Sequence, residues 1–224
     1  SMHKVWPLAQ ENCGRLLVLD GLHPGGKLRK LAGPEPGMFW RPDVSFDGRK
    51  ALFCYRPKPD RVFHIYEIGL DGSGLRQVTS GSYDDLDPIY LPDGNIAFMT
   101  NRGNSYARCA VGHPSPALAR CGPDGKNLYI ISASNEPEYT PALLHNGRIL
   151  YTRWEYTDKE LMRIQSLWTV NPAGTAVSVF WGNQSYWPDM LLEARPIPGS
   201  HRVMFAGHGH HEVFLGAIGI LDPK

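Results

Sequence analysis

Apolar residues fall in short alternating runs of about five to eight positions, each ended by glycine, proline, asparagine or aspartate. Runs of that length, rich in aromatic and β-branched types, predict strands rather than helices. One phrase recurs four times. Thr140-Pro-Ala-Leu-Leu-His-Asn-Gly147 leads into an apolar strand at Arg148 to Thr152. An Asn-Gly pair between apolar runs is a strong hairpin signal. Pro42-Asp-Val-Ser-Phe-Asp-Gly48 leads into Ala51 to Tyr55, Pro88-Ile-Tyr-Leu-Pro-Asp-Gly94 into Ile96 to Thr100, and Ala194-Arg-Pro-Ile-Pro-Gly-Ser200 into Val203 to Ala206. Aligning Phe53, Phe98, Tyr151 and Phe205 gives spacings of 45, 53 and 54 residues. A repeat near that length with several short strands is the pattern of a β-propeller blade. The four aligned aromatics are expected to be buried between neighbouring sheets.

The pattern divides one all-β domain, residues 1–224, into about four blades of four-stranded antiparallel sheet, at about 40–80, 83–132, 138–182 and 188–223. A partial blade, 15–31, precedes them as an outer hairpin around Gly21 to Gly26. In the first full repeat the strands are expected at Asp43 to Phe46, Lys50 to Arg56, Val62 to Leu70 and Leu75 to Thr79. An irregular insertion, Asn101 to Pro116, interrupts the second. The connection Trp154 to Arg163 is charged and mildly helical. Either the N-terminal hairpin and the C-terminal strands complete one another in a closed four-bladed ring, or the chain is a fragment of a larger propeller. An incomplete propeller would expose sheet faces and favour oligomers.

Composition narrows the function classes. A net charge of +1 argues against a nucleic-acid binder, which needs a basic surplus. No apolar run approaches the roughly 18 residues that would insert into a membrane. The start, Ser1-Met2, reads as a cloning remnant, and no basic-then-apolar leader follows it. Four cysteines are too few for a disulfide scaffold. Cys54 lies in a strand-like run and reads as a buried free thiol. Cys109 and Cys121 flank one long loop and could form a disulfide if the protein is exported to an oxidising compartment.

The repeats resemble the TolB type of WD40-like propeller, in which Asp-x-x-Pro-x-(Ser/Tyr)-Pro-Asp-Gly precedes an Ile-x-Phe strand; here that is Asp84 to Phe98, with the hairpin Asp71-Gly-Ser-Gly74. From about residue 40 to 223 the chain is similar, more narrowly, to the middle propeller domain of the hydrazine synthase alpha subunit. Asn135-Glu-Pro-Glu-Tyr-Thr-Pro141, His145 to Tyr156, Leu167-Trp-Thr-Val-Asn-Pro172, Glu193-Ala-Arg-Pro-Ile-Pro-Gly199 and His210-His211 carry that resemblance. It implies a module of a large exported bacterial protein, periplasmic or extracellular, often beside c-type haem domains. The family's propeller has six blades, which favours the fragment reading. The haem attachment motif Cys-x-x-Cys-His is absent from these 224 residues, so no haem is expected through a motif of this chain.

Candidate chemistry is sparse. His208, His210 and His211, with Glu212 beside them, form the only histidine cluster, and Cys109 with His113 are the candidate remote ligands for zinc. The competing reading is a solvated loop. Arg153, Trp154 and Glu155 sit where a strand leaves the sheet and form a candidate partner face; the alternative is an Arg–Glu pair with Trp154 packed between blades. Asp84, Asp85 and Asp87 would hold a cation or, more simply, cap turns. Glu136 and Glu138 occupy the matching place one repeat later. Trp154, Tyr186 and Trp187 are candidate sugar-stacking platforms. Serine-hydrolase, P-loop, dinucleotide and zincin motifs are missing. Three readings follow: a non-catalytic scaffold with a protein partner or neighbouring domains, part of a metal- or haem-dependent redox enzyme, or a carbohydrate-binding or carbohydrate-processing propeller.

Overall fold

A computed structural model describes residues 14–32, 37–109, 112–156, 163–210 and 216–223. Every regular element among them is a strand. The turns explain why. Gly48, Gly94, Gly147 and Gly199 have φ of 67°, 82°, 80° and 69°, a region in which L-residues collide with their own carbonyl. In the first three turns the residue before glycine accepts a hydrogen bond from the amide beyond it: Asp47 from Arg49 (3.0 Å), Asp93 from Asn95 (3.1 Å) and Asn146 from Arg148 (3.1 Å). Each such Asx turn sets two strands antiparallel.

A hairpin of β1 (Leu16–Asp20) and β2 (Lys27–Ala32) comes first. A sheet of β3 (Gly37–Val44), β4 (Lys50–Pro57), β5 (His64–Gly69) and β6 (Arg76–Gln77) follows, then a sheet of β7 (Asp85–Tyr90), β8 (Ile96–Thr100), β9 (Ala117–Cys121) and β10 (Tyr129–Ile130). The third comprises β11 (Glu138–Leu143), β12 (Ile149–Trp154), β13 (Gln165–Val170) and β14 (Ser178–Trp181); β15 (Met190–Pro196), β16 (Val203–His208) and β17 (Ala217–Leu221) form the fourth. A single parallel bridge, Gln165 to Met190, links the last two sheets. The first inner strand begins earlier than Asp43 because Gly37 to Trp40 pair with Cys54 to Pro57 across a bulge.

Sheets stack face to face and bury the alternate side chains between them. Phe53, Phe98 and Tyr151 are 0% exposed, and Phe205 is 9% exposed. One cluster joins Leu52, Phe63 and Ile65 to Leu86, Phe98 and Leu118, and continues to Ile149 and Tyr151. Another joins Leu150 and Leu167 to Leu191 and Val203. The hairpin β1–β2 packs on the first sheet through Leu16, Leu31, Phe53 and Tyr55. It forms a sheet of its own and does not pair with β15–β17, so the closed four-bladed ring is not formed; the sheets make an open arc. No helix among the described residues is long and apolar enough to cross a membrane.

Candidate functional site

The end of β12 carries the candidate partner residues. Arg153 pairs with Glu138 on β11 and Ser166 on β13, and its guanidinium lies over the Trp168 ring at 4.7 Å. Trp154 follows and is only 2% exposed. It packs on Ala107, with Cys109 and Tyr156 alongside, and its ring centroid is 5.4 Å from that of His210. It is therefore a packed residue, not a stacking platform. Tyr186 and Trp187, at 86% and 65% exposure, are open.

The insertion after β8 builds the roof. Ser115 N donates to Ser105 O (2.8 Å) and Ala107 N to His113 O (3.1 Å), which folds the segment back on itself. Arg108 is thereby carried over the neighbouring sheet, where its Nη1 donates to Tyr156 O (3.1 Å) and its Nε lies 3.1 Å from Glu136 Oε1. Between these groups is a cavity of about 200 Å³ lined by Arg108, residues 133–136, Arg153, Trp154, Glu155 and Tyr156. Burial raises the Glu136 carboxyl above the ordinary range, against the pull of Arg108. Glu155 is raised by burial too, opposed by Arg153.

The predicted metal ligands are partly drawn together. Cys109 and His210 both meet Trp154, although they come from the second and fourth sheets. His210 N donates to Asp189 (3.1 Å), and its ring lies 3.4 Å from Gln165 Nε2. His208 ends β16, and burial lowers its pKa. His211 and Glu212 lie outside the described residues. Among the described residues no group of three or more His, Cys, Asp or Glu is placed to hold a metal. Cys54 and Cys121 are free thiols, so no bridge joins Cys109 to Cys121. Burial raises the Cys54 thiol far above its usual value and pushes Cys121 up to about 12, which leaves both protonated and inert.

The inner strands carry a second constellation. Arg41, Asp87, Thr140 and Glu193 sit at the bulge of β3, β7, β11 and β15, with φ of 49°, 50°, 48° and 57°. Arg41 pairs with Asp87 (3.4 Å) and with Glu193; Thr140 N donates to Asp87 (3.3 Å), and Glu193 N to Thr140 Oγ1 (3.4 Å). These contacts close a cycle through all four sheets. Asp85, 0% exposed, is held by Arg102 (2.6 Å) and Thr100 (2.8 Å), and Asp84 accepts from Phe63 N (2.8 Å). The acidic trio thus ties strands together. Sequence reasoning missed the cycle, yet a signal existed: Arg41, Asp87 and Thr140 each precede a proline and stand seven residues before a turn glycine.

The fold as a whole is a β-propeller fold similar to that of TolB. Hydrazine synthase of Kuenenia stuttgartiensis superposes with a TM-score of 0.73 at 16% identity, over 82% of this chain and 31% of that chain. TolB from Acinetobacter baumannii gives 0.62 at 14% identity, over 88% of this chain and 43% of that one. A nidogen/laminin complex gives 0.58 at 13% identity, over 82% and 60%. The chain spans less than half the length of the first two. No family model matches the sequence, and no curated protein does.

Proposed function

We propose that the chain is a non-catalytic propeller segment that scaffolds a larger exported bacterial protein, of the kind whose propellers stand beside haem domains, and that it packs against neighbouring domains or a protein partner. The observation that supports this is the pair of open apolar flanks. On the β15–β17 sheet, Met204 lies directly across from Ile220, with Ile218 beside them, and the three are 43%, 60% and 76% exposed. On the hairpin, Leu19 lies across from Leu28, with Leu17 nearby, at 47%, 67% and 45% exposure. Apolar sheet faces left open in this way mark interaction surfaces. Arg153 and Glu155 supply a second, polar contact face at the strand ends, while Trp154 between them is buried and contributes nothing to it. One matched structure is itself an assembly of proteins, the nidogen/laminin complex.

Sedimentation velocity on the chain and on a Met204→Lys/Ile218→Lys/Ile220→Lys variant tests the reading. The chain is expected to self-associate as concentration rises, and the folded variant to stay monomeric. A chain that remains monomeric and binds no apolar dye contradicts the flank argument. Metal analysis and an absorption spectrum of protein purified without an affinity metal address the rival, a redox enzyme with zinc or haem that uses Cys109 and His208 to His211. A stoichiometric metal with turnover would establish that rival instead.

A further inference from the structure

Apolar clusters run from the first sheet through the second to the third, and from the third to the fourth, and the hairpin β1–β2 covers the remaining face of the first sheet. The two ends of the arc differ from its interior. Alternation on β16 and β17 turns Val203, Phe205 and Leu221 toward the third sheet and Met204, Ile218 and Ile220 away from it. Alternation on β1 and β2 turns Leu16 and Leu31 toward the first sheet and Leu17, Leu19 and Leu28 away from it. The two outer faces match in length: β16 and β17 have six and five residues, β1 and β2 five and six. They differ in charge. Lys30 lies across from Leu17 on the hairpin face and is exposed, as is Arg15. Residues 15–32 carry Arg15, Lys27, Arg29 and Lys30 against Asp20 alone. On the other face the position after Ile220 in the alternation is Asp222, whose side chain is 45% exposed and lies 2.6 Å from His201 Nε2. A hairpin face laid on a second hairpin face would set like charges together, which is unfavourable.

We propose that the hairpin β1–β2 of one copy stacks on the β15–β17 sheet of a second copy, face to face at the spacing of about 10 Å that stacked sheets keep. This rests on the flank reading above and names the occupant of each flank, which is the other flank. The contact buries Leu17, Leu19 and Leu28 against Met204, Ile218 and Ile220, and sets the basic hairpin against the face that Asp222 ends. It repeats between copies the sheet stacking that holds the arc together. Because the two surfaces differ, the contact is heterologous, and the assembly either closes as a ring or continues to grow.

Sedimentation velocity on two variants, alone and mixed, decides it. Leu19→Lys/Leu28→Lys alters the hairpin face and Ile218→Lys/Ile220→Lys the sheet face; these positions are exposed, and circular dichroism checks the fold. Each variant alone should self-associate about tenfold more weakly than the unaltered chain, or less than that. An equimolar mixture should form a one-to-one complex, because the intact hairpin of one variant meets the intact sheet of the other while the two lysine faces repel. A mixture that stays monomeric overturns the proposal. So does a hairpin variant that self-associates like the unaltered chain, since sheet faces would then pair with themselves. Both of those outcomes leave the flank reading standing, whereas an unaltered chain that is monomeric at every concentration removes both. Should a lysine variant fail to fold, Leu19→Ser/Leu28→Ser and Ile218→Ser/Ile220→Ser repeat the comparison.

Discussion

At the scale of single residues, the turn glycines separate two costs that look alike in sequence. Gly94 and Gly125 share a φ near 80°, at 82° and 79°. A Cβ at Gly94 would meet nothing within 4 Å, whereas one at Gly125 would fall onto the Val78 carbonyl of the neighbouring sheet. Gly94→Ala should therefore cost about 1–2 kcal/mol, the strain of a left-handed L-residue. Gly125→Ala should cost clearly more, because backbone must also move. Urea midpoints at unchanged m-value measure both. The Asp-Gly signal was legible without coordinates. The crowding at Gly125 was not, because it depends on which sheet lies beside the turn.

At the scale of elements, β7 and β11 begin alike and behave oppositely. Asp85 opens one and Glu138 the other, and both are 0% exposed. Burial alone would raise Asp85, but hydrogen bonds and charge from His64, Arg102 and Thr100 outweigh it and hold the carboxyl below its ordinary value. Glu138 accepts from Leu118 N (3.1 Å), yet burial prevails over that bond and Arg153, and its carboxyl is raised. The signs follow from linkage. Asp85 contributes stability above its unfolded pKa, near 3.9, and this is lost as pH falls through the depressed folded value. The ionised form of Glu138 is penalised, so stability is fully present below about 4.3 and falls as pH rises through the raised value. Asp85→Asn should cost about 3 kcal/mol at neutral pH by stranding Arg102, with the gap closing in acid. Glu138→Gln, which keeps an oxygen for Leu118 N, should be neutral or stabilising at pH 7, with the difference vanishing near pH 4. Urea midpoints across pH 3 to 8 check both.

At the scale of the whole molecule, Arg41 ties the first sheet to the second through Asp87 and to the fourth through Glu193, at their inner ends. Desolvation of Asp87 already raises its carboxyl against the pull of Arg41. Arg41→Ala should destabilise the fold by about 3 kcal/mol by leaving a buried carboxylate unpaired. Asp87→Asn in the same chain should recover part of it, with a coupling of about 0.5–3 kcal/mol. Hydrogen exchange in β15 should quicken in the single variant, since the cycle holds that strand's bulge. Exchange unchanged from the parent chain would show the cycle to be ornamental to the arc.

Strand positions, turn chemistry and the propeller repeat could be read from the sequence alone, because period-2 alternation and the φ demands of glycine are local. The aromatics Phe53, Phe98 and Tyr151 could be placed in the core for the same reason. What only the tertiary structure decided depends on contacts between residues far apart. The hairpin β1–β2 covers the first sheet instead of completing the last, since apolar pattern says that a face is buried and not by what. Trp154 lies beneath a roof that Arg108 and Cys109 bring from another repeat, which removed it as a platform and placed Glu136 and Arg153 around one cavity. The burial of Glu136 and its pairing with Arg108 arise from that packing, and no local pattern of residues encodes them.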